Sequence, residues 1–407
     1  MIFVGNDWSE GHHDVCVVTS DGQVVARDVF DEGIDGVAEF HALMADLVED
    51  PDEVAGGIET DRGLWVDMLV ACGYHVYALN PKSVARFREG RTLSGAKSDR
   101  GDAKMLADLV RLDRYNHREV AGDSNQVGAL KVMTRTHQTL IWERQRATNR
   151  LRAGLVEYFP AAVKTFDDLK SRDAVAILTV ALTPAEGKAL TMAGITSALK
   201  DGGRQRYIQL TADKIRNGLQ VPHLEAPEPV TAGYRAAMAP LVGMIGLLNT
   251  QIDELANEIK TVFRKHPDAA IYLSLPGVGD VLGARLLAEF GDDPERYVDG
   301  KSRRNYAATS PVTKASGTQR SVHARWIRND RLHDAVIQIV PTAARTSAGF
   351  NALYRQRRAQ GDTHTKAARR VGNRFVGILH GCLETRTLYD EQTAWGHRFE
   401  QQNRKAA

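Results

Sequence analysis

Cysteine is scarce in this chain. The three present among 407 residues, Cys16, Cys72 and Cys382, lie far apart and form no Cys-x-x-Cys pair. That argues against a disulfide framework or a zinc knuckle and suits a reducing cytoplasm. No run approaches the roughly 20 consecutive apolar residues a membrane helix needs. The opening MIFVGNDWSEG has neither a basic nor an apolar signal region, so no secretory signal is expected. Internal repeats and low-complexity segments are also missing. What is present is ordinary for a globular chain, 43% hydrophobic and 26% charged, and the length suggests two or three domains.

The net charge of +2 conceals a strong asymmetry. Residues 301–407 hold 20 Lys/Arg against 7 Asp/Glu, whereas residues 1–300 hold 33 against 44. Residues 1–60 contain a single basic residue, Arg27, and 15 acids, and residues 82–152 swing to 16 bases against 8 acids. Acids gathered in one place and bases in others suit a polyanionic partner and a bound cation; uneven surface charge is the plainer alternative.

Along the chain, IFVGND (2–7), DVCVVTS (14–20) and VVARDVF (24–30) are short β-branched runs separated by turn residues, and they predict an antiparallel meander. A helix is expected over 36–47, a strand over 53–59, a helix over 64–71, a strand over 75–80 and a helix from Pro81 through Phe87. A polar loop (88–97) and an N-cap at Ser98 then introduce a helix from Asp99 to Leu112. Three strands, helix, strand, helix, strand, helix is the order of a ribonuclease-H-like fold. Residues 125–158 and 229–263 carry helical apolar stripes flanking a less regular insert, which reads as an antiparallel coiled-coil pair or dimerisation arm, or else as two core helices. The remainder is mainly helical. The expected division is 1–120, a helical arm over 121–265, a C-terminal domain over 266–390 and a polar tail over 391–407.

Asp7 closes the first expected strand and Glu59 the fourth, which are neighbours in a sheet of that order. Asp99 and Asp102, three apart at a helix start, project from one face. Four carboxylates in one cleft repel one another unless a cation neutralises them, and an oxygen-only ligand set suits Mg²⁺ or Mn²⁺. Such ions serve phosphoryl transfer. Each acid also has a structural explanation, since Asp is common at strand ends and is favoured by the dipole at helix starts. Glu10, Asp14, Asp61 and Asp67 lie nearby, with Asp61 the nearest substitute for Glu59.

Farther on, Pro276-Gly277-Val278-Gly279 between two apolar segments has a helix-hairpin-helix pattern. Gly277 and Gly279 would let backbone N–H groups approach a phosphate, although a tight helix turn made for packing reads the same way. Downstream, Ser316-Gly317 stands among Lys314, Arg320, Arg325 and Arg328. Cations beside a serine can support attack on phosphorus, but a lone serine is more commonly a cap or turn residue.

GNDWSEGHHDVCVV, GIETDRGLW and KSDRGDAKMLADLVR, in that order and spacing, resemble the N-terminal domain of the DEDD-type insertion-sequence transposases of the IS110 family. The catalytic domain of that family resembles the RuvC Holliday-junction resolvase. The resemblance covers about residues 1–155 and 230–385. It implies that Asp7, Glu59, Asp99 and Asp102 are the family's four acids, and that Ser316 is the nucleophile linking covalently to DNA, with Ser310 and Ser321 as weaker candidates. Two departures are Thr60-Asp61 after Glu59, where the family has Thr-Gly, and Ala315 before the serine, where it commonly has Gln. The resemblance further implies a bacterial, DNA-acting homo-oligomer guided by a structured non-coding RNA that pairs with donor and target. A metal-dependent nuclease or resolvase without serine chemistry, and a nucleic-acid-binding protein with a degenerate site, are the competing readings.

Overall fold

A computed structural model of the chain describes residues 1–90, 99–120, 122–316, 319–325 and 328–396. At residues 99, 100, 118, 295, 314–316, 319 and 320 only the backbone is described. The expected cap at Ser98, most of the expected 88–97 loop and the tail from residue 397 lie outside the described residues. The chain divides into two compact units, Met1–Asp123 and Ser124–Ala407.

The first unit is a mixed sheet covered on both faces. Strands β1 (Ile2–Trp8), β2 (His12–Val18) and β3 (Val24–Asp31) form the antiparallel meander. Helix α1 (Ile34–Leu47) crosses over to β4 (Val54–Ile58), and α2 (Leu64–Ala71) crosses to β5 (His75–Ala78), so β1, β4 and β5 are parallel. Parallel neighbours require such crossovers. Helices α3 (Pro81–Glu89) and α4 (Asp99–Asp113) follow, then a short antiparallel edge strand, β6 (Arg118–Glu119), which the sequence did not suggest. The order is β3-β2-β1-β4-β5-β6. Strand β2 starts at His12, two residues ahead of expectation, which puts Asp14 inside it.

Alternation along β1 explains its unbroken apolar run. Ile2 and Val4 pack with Phe40 and Met44 of α1 and Trp65, Val66 and Leu69 of α2. Phe3 points the other way, into a core with Cys16, Ala55, Leu79 and the α4 residues Ala103, Leu106, Ala107 and Val110. Gly5 shares that second face. A Cβ there would sit 1.8 Å from the Ala103 carbonyl oxygen and 2.4 Å from the Ala107 nitrogen, so α4 rests directly on the β1 backbone.

The second unit contains two hydrophobic cores joined by two long helices, α5 (Asn125–Tyr158) and α11 (Glu228–Phe263). Between them lie α6 (Pro160–Thr165), α7 (Arg172–Val180), α8 (Pro184–Ala189), α9 (Met192–Asp201) and α10 (Ile208–Leu219). The far core combines Leu151, Leu155 and Tyr158 of α5, residues of this small-helix insert, and Val242 and Ile245 of α11. The near core combines Val127 and Leu130 with Ile259 and Phe263. The long helices therefore run antiparallel. The mid-section of α5 is polar, with Thr134, His137 and Gln138 buried and Arg144 Nη1 donating to Asn249 Oδ1 of α11 at 2.8 Å, while α11 buries Leu248 and Ile252 there. By length and composition α11 is apolar enough to cross a membrane, although it contains no unbroken run of roughly 20 apolar residues. One apolar side of it packs on α5 and the insert, and Pro240 lies within it.

The near core continues through α12 (Ala269–Ser274), α13 (Asp280–Phe290), α14 (Gly300–Tyr306), α15 (Asp330–Thr346), α16 (Ala348–Ala359) and α17 (His364–Glu384). Between α14 and α15 the chain forms a ribbon of β7 (Val312–Ser316) and β8 (Gln319–His323) that contributes none of its described residues to that core. The buried Glu289 carboxylate fastens α5 to the near core. Arg135 donates Nε and Nη2 to Glu289 at 2.8 and 2.9 Å, and Asn329 Nδ2 donates at 2.6 Å. An α/β unit followed by a mainly helical one matches the expected class.

The seat of α4 on β1 can be tested by Gly5→Ala. The added Cβ meets helix backbone rather than a yielding side chain, so a loss of about 3 kcal/mol or more is expected, at the upper end for overpacking. It would be read as a lower urea midpoint. Gly11→Ala, with nothing within 4 Å of its Cβ, is the control and should hold the midpoint. Equal midpoints for both would show that the close approach does not constrain the fold.

Candidate metal and nucleic-acid sites

The β1–β4 ladder pairs Gly5 with Gly57 and Asn6 with Ile58. Asp7 and Glu59 each stand one residue farther along, side by side at the strand ends. Both fall on the α4 face by alternation: Gly5 meets Ala103 and Ala107, and a Cβ on Gly57 would meet Val110 and the Leu106 oxygen. Helix α4 runs antiparallel to these strands, so its N-terminal turn, with Asp99 and Asp102, comes to the end where Asp7 and Glu59 sit. The Asp99 side chain lies outside the described residues.

Asp102 is buried, at 8% exposure, and Arg88 Nη2 of α3 donates to its Oδ1 at 2.7 Å. Glu59 is exposed and Asp7 half-buried. Among the described residues no three His, Cys, Asp or Glu side chains gather closely enough to hold an ion. The backbone brings the elements carrying the four acids to one end, where the partner of Asp102 is an arginine. Oxygen donors that already demand a positive partner fit a hard divalent ion.

Two neighbours sharpen the picture. Asp14 stands directly opposite Asp7 in the β1–β2 ladder, hence on the same face, and His12 Nε2 lies 3.3 Å from its Oδ2. On the opposite face His13 stacks on Trp65 at 3.9 Å between ring centres. His13 Nδ1 is 3.1 Å from Asn6 Oδ1 and its Nε2 is 2.5 Å from Glu32 Oε2. Burial lowers the pKa of His13, with Glu32 opposing. This wedge fixes the β1–β2 end next to Asp7, and the sequence reading passed over it. The only signal was a His-His pair whose second member falls on the inward side of a strand. Asp61 lies in the β4–α2 connection, and Asp67 is exposed on α2.

In the second unit the two glycines of the helix turn differ. Gly277 adopts φ +83°, and a Cβ there would lie 2.8 Å from both the Ala343 nitrogen and the Ile339 oxygen of α15, so packing alone requires glycine. Gly279 precedes α13 with open space around its Cα. Asp280, the first residue of α13, is held by Arg264, Nε to Oδ1 at 2.6 Å and Nη2 to Oδ2 at 3.1 Å.

Ser316 ends β7 and pairs with Gln319 across the ribbon; its side chain, like those of Lys314 and Arg320, lies outside the described residues. Arg325 Nη2 donates to Asn305 Oδ1 at 3.2 Å, and Arg328 Nε donates to Asp330 Oδ1 at 2.7 Å. Of the weaker serines, Ser310 Oγ accepts from Asn373 Nδ2 at 3.3 Å, and Ser321 Oγ is 2.8 Å from His323 Nε2.

Comparison with known proteins agrees at both ends of the chain. A family model for DEDD transposases of the IS110 type matches residues 4–160, and one for transposases of the IS116/IS110/IS902 family matches residues 269–355. The chain is 38% identical to the IS117 mini-circle transposase of Streptomyces coelicolor, covering 97% of this chain and 96% of that one. An IS116 protein of 44.8 kDa from Streptomyces clavuligerus is 28% identical over 95% of this chain and 96% of its own. An IS900 protein of 42 kDa from Mycobacterium paratuberculosis is 27% identical over 96% and 98%. With one relative matched this closely from end to end, and with the acid-bearing strands and the glycine turn both inside matched regions, the chain belongs to the IS110/IS116 family of insertion-element transposases.

Proposed function

We propose that this transposase is a metal-dependent DNA recombinase with a ribonuclease-H-like, RuvC-like first unit and serine chemistry in the second. The observation that carries the metal half is the register of β1 and β4 beneath α4, which brings the positions of Asp7 and Glu59 to the end where α4 begins. Asp7, Glu59, Asp99 and Asp102 would hold Mg²⁺ or Mn²⁺. A bound ion of this kind supplies Lewis-acid stabilisation of charge on phosphate oxygens. The chain's own residues do the rest. The His13–Trp65 stack and the Gly5 contact keep the acid-bearing elements in place, and Arg88, the present partner of Asp102, would give way there to a bound cation.

Ser316 is the proposed nucleophile. Its Oγ would form a bond to phosphorus as a deoxyribose oxygen leaves, the serine proton passing to solvent or a nearby base and the leaving oxygen taking up a proton. The DNA strand then stays joined to protein until a second deoxyribose oxygen displaces the serine, which conserves bond energy for rejoining. Family membership supports DNA as substrate. A structured non-coding RNA that pairs with donor and target, with recognition delegated to base pairing, and a homo-oligomeric assembly complete the reading. The long α5–α11 arm and the basic residues of 82–152 are the surfaces proposed for them.

The two halves are tested separately. Asp102→Asn should reduce Mg²⁺-dependent strand cleavage by at least a hundredfold, and EDTA should abolish it in the unmodified protein; cleavage indifferent to both would sink the metal assignment. Arg88→Gln frees Asp102 from its competitor, so Mn²⁺ binding measured by calorimetry should tighten about five- to tenfold, the range of a partly buried charge pair. An unchanged affinity would mean that Arg88 does not stand where the ion binds.

For the serine, Ser316→Ala should leave DNA affinity within twofold and eliminate the covalent protein–DNA adduct that survives detergent. If cleavage continues at full rate without Ser316, the protein is a metal-dependent nuclease or resolvase instead. Recombination of donor and target plasmids with and without the element's own non-coding RNA tests guidance.

A further inference from the structure

Between Asp334 and Glu384 the chain carries eight Lys/Arg residues and one acid, Asp362. The structure sorts those cations. Arg374 is committed inward, donating Nη2 to the Ala394 oxygen at 2.7 Å and lying over the Trp395 ring. Four others gather at the turn between α16 and α17. The Asp362 carboxylate is 4% exposed and accepts from Arg357 Nε and Lys366 Nζ, both at 2.7 Å, with Arg370 Nε at 3.8 Å. Arg358 Nη1 donates to the Asp362 main-chain oxygen at 2.7 Å.

Four cations around one carboxylate leave an uncompensated positive patch. A buried carboxylate is satisfied by one or two good partners, and Arg357, three-quarters buried, already serves that need. Lys366 and Arg370 keep 57% and 46% of their side chains exposed, with N–H donors to spare, and Arg358 is exposed too. Like charges held together repel unless a polyanion joins them. Lys366 and Arg370 are four apart and share one face of α17, about 5–6 Å between Cβ atoms. The Tyr354 ring at this turn packs against the near core, with its hydroxyl 2.7 Å from His364 Nδ1, so it is not an open platform on which single-stranded bases could stack.

We propose that the α16–α17 turn is a docking site for the phosphodiester backbone of duplex DNA, with Arg358, Lys366 and Arg370 contacting phosphates and Asp362 as the positioning residue. It lies outside both the four acids and the Ser316 ribbon. It rests on the reading of the chain as a DNA-acting enzyme, and DNA, the substrate that membership of a transposase family implies, is the occupant proposed. Contacts of this kind anchor a duplex without reading its sequence.

The test uses the full chain and a random-sequence 30-base-pair duplex, followed by fluorescence anisotropy across salt concentrations. R358Q/K366Q/R370Q should weaken binding ten- to a hundredfold near 0.1 M salt. Its plot of log affinity against log salt should be shallower by about 2.7, at roughly 0.9 per phosphate contact. D362N should weaken binding a few-fold even though it raises the net positive charge, which simple charge counting would not give. If the triple variant unfolds, K366Q alone should flatten the slope by about 0.9. Unchanged affinity and slope in a folded triple variant would overturn the site and leave the recombinase reading standing. A larger loss on duplex RNA than on duplex DNA would overturn DNA as the occupant. Failure of the unsubstituted protein to bind the duplex at any salt would overturn both the site and the recombinase reading.

Discussion

The first unit is organised around a contact in which no side chain takes part. At Gly5 the backbone of β1 lies against the backbone of α4, with the Ala103 oxygen where a Cβ would be. This approach fixes how deep α4 sits and how far along the strands its first turn reaches. Gly57 repeats the arrangement one strand over, where Val110 and Leu79 fill the space. The two glycines are directly paired in the β1–β4 ladder, so they form one flat strip on which the helix lies. Acid placement follows from that strip: two residues beyond the paired glycines, on the same face, come Asp7 and Glu59. The same alternation sends Asn6 the other way, into the His13 wedge.

The second unit solves a different problem. Helices of 34 and 36 residues span about 50 Å, farther than one small core extends, and each end must be buried in something. Each end has its own core, one built from the short helices of the insert and one from the C-terminal helices. The polar seam between them fits this arrangement. Thr134 Oγ1 donates back to the Leu130 oxygen at 2.7 Å, and Gln138 Nε2 donates to Asp334 at 2.8 Å, so these two buried side chains are partnered where the helix leaves the near core, whereas the buried His137 Nδ1 is not. The Arg135–Glu289 pair lies at the same level. A buried carboxylate with two arginine donors and an asparagine donor is strongly oriented, and it sets the angle at which α5 leaves the C-terminal helices.

How much of this was legible depended on the range of the interaction. Strands β1 to β5 and helices α1 to α4 follow from hydrophobic period and punctuation, which are local properties. The placement of Asp7 beside Glu59 followed because strand order was inferable and strand ends are marked. The Arg88–Asp102 pair was not legible, since it joins residues fourteen apart across a segment with no periodic signal. Nor was the reason for Gly277, because Ile339 and Ala343 lie more than sixty residues downstream. The turn at Gly361-Asp362 was not legible either, because that region read only as mainly helical. Only the folded chain shows the Arg and Lys side chains divided between inward packing and an exposed cluster.

Charge in this chain is placed rather than merely balanced. In the first unit Asp102 has its positive partner in Arg88, which belongs to a helix that ends just before the segment leading into α4. In the second unit the Asp362 turn inverts the problem, with one buried acid organising an excess of cations. A buried ion with a single partner is a structural feature, satisfied once its pair forms. A cluster with charge left over is stable as folded yet electrostatically incomplete, and its stability is sensitive to salt. The two proposed sites would take opposite charges, cations at the acids of the first unit and phosphates at the Asp362 turn. That opposition is what the proposed action on a metal-bound polyanion would require of the chain's own charges.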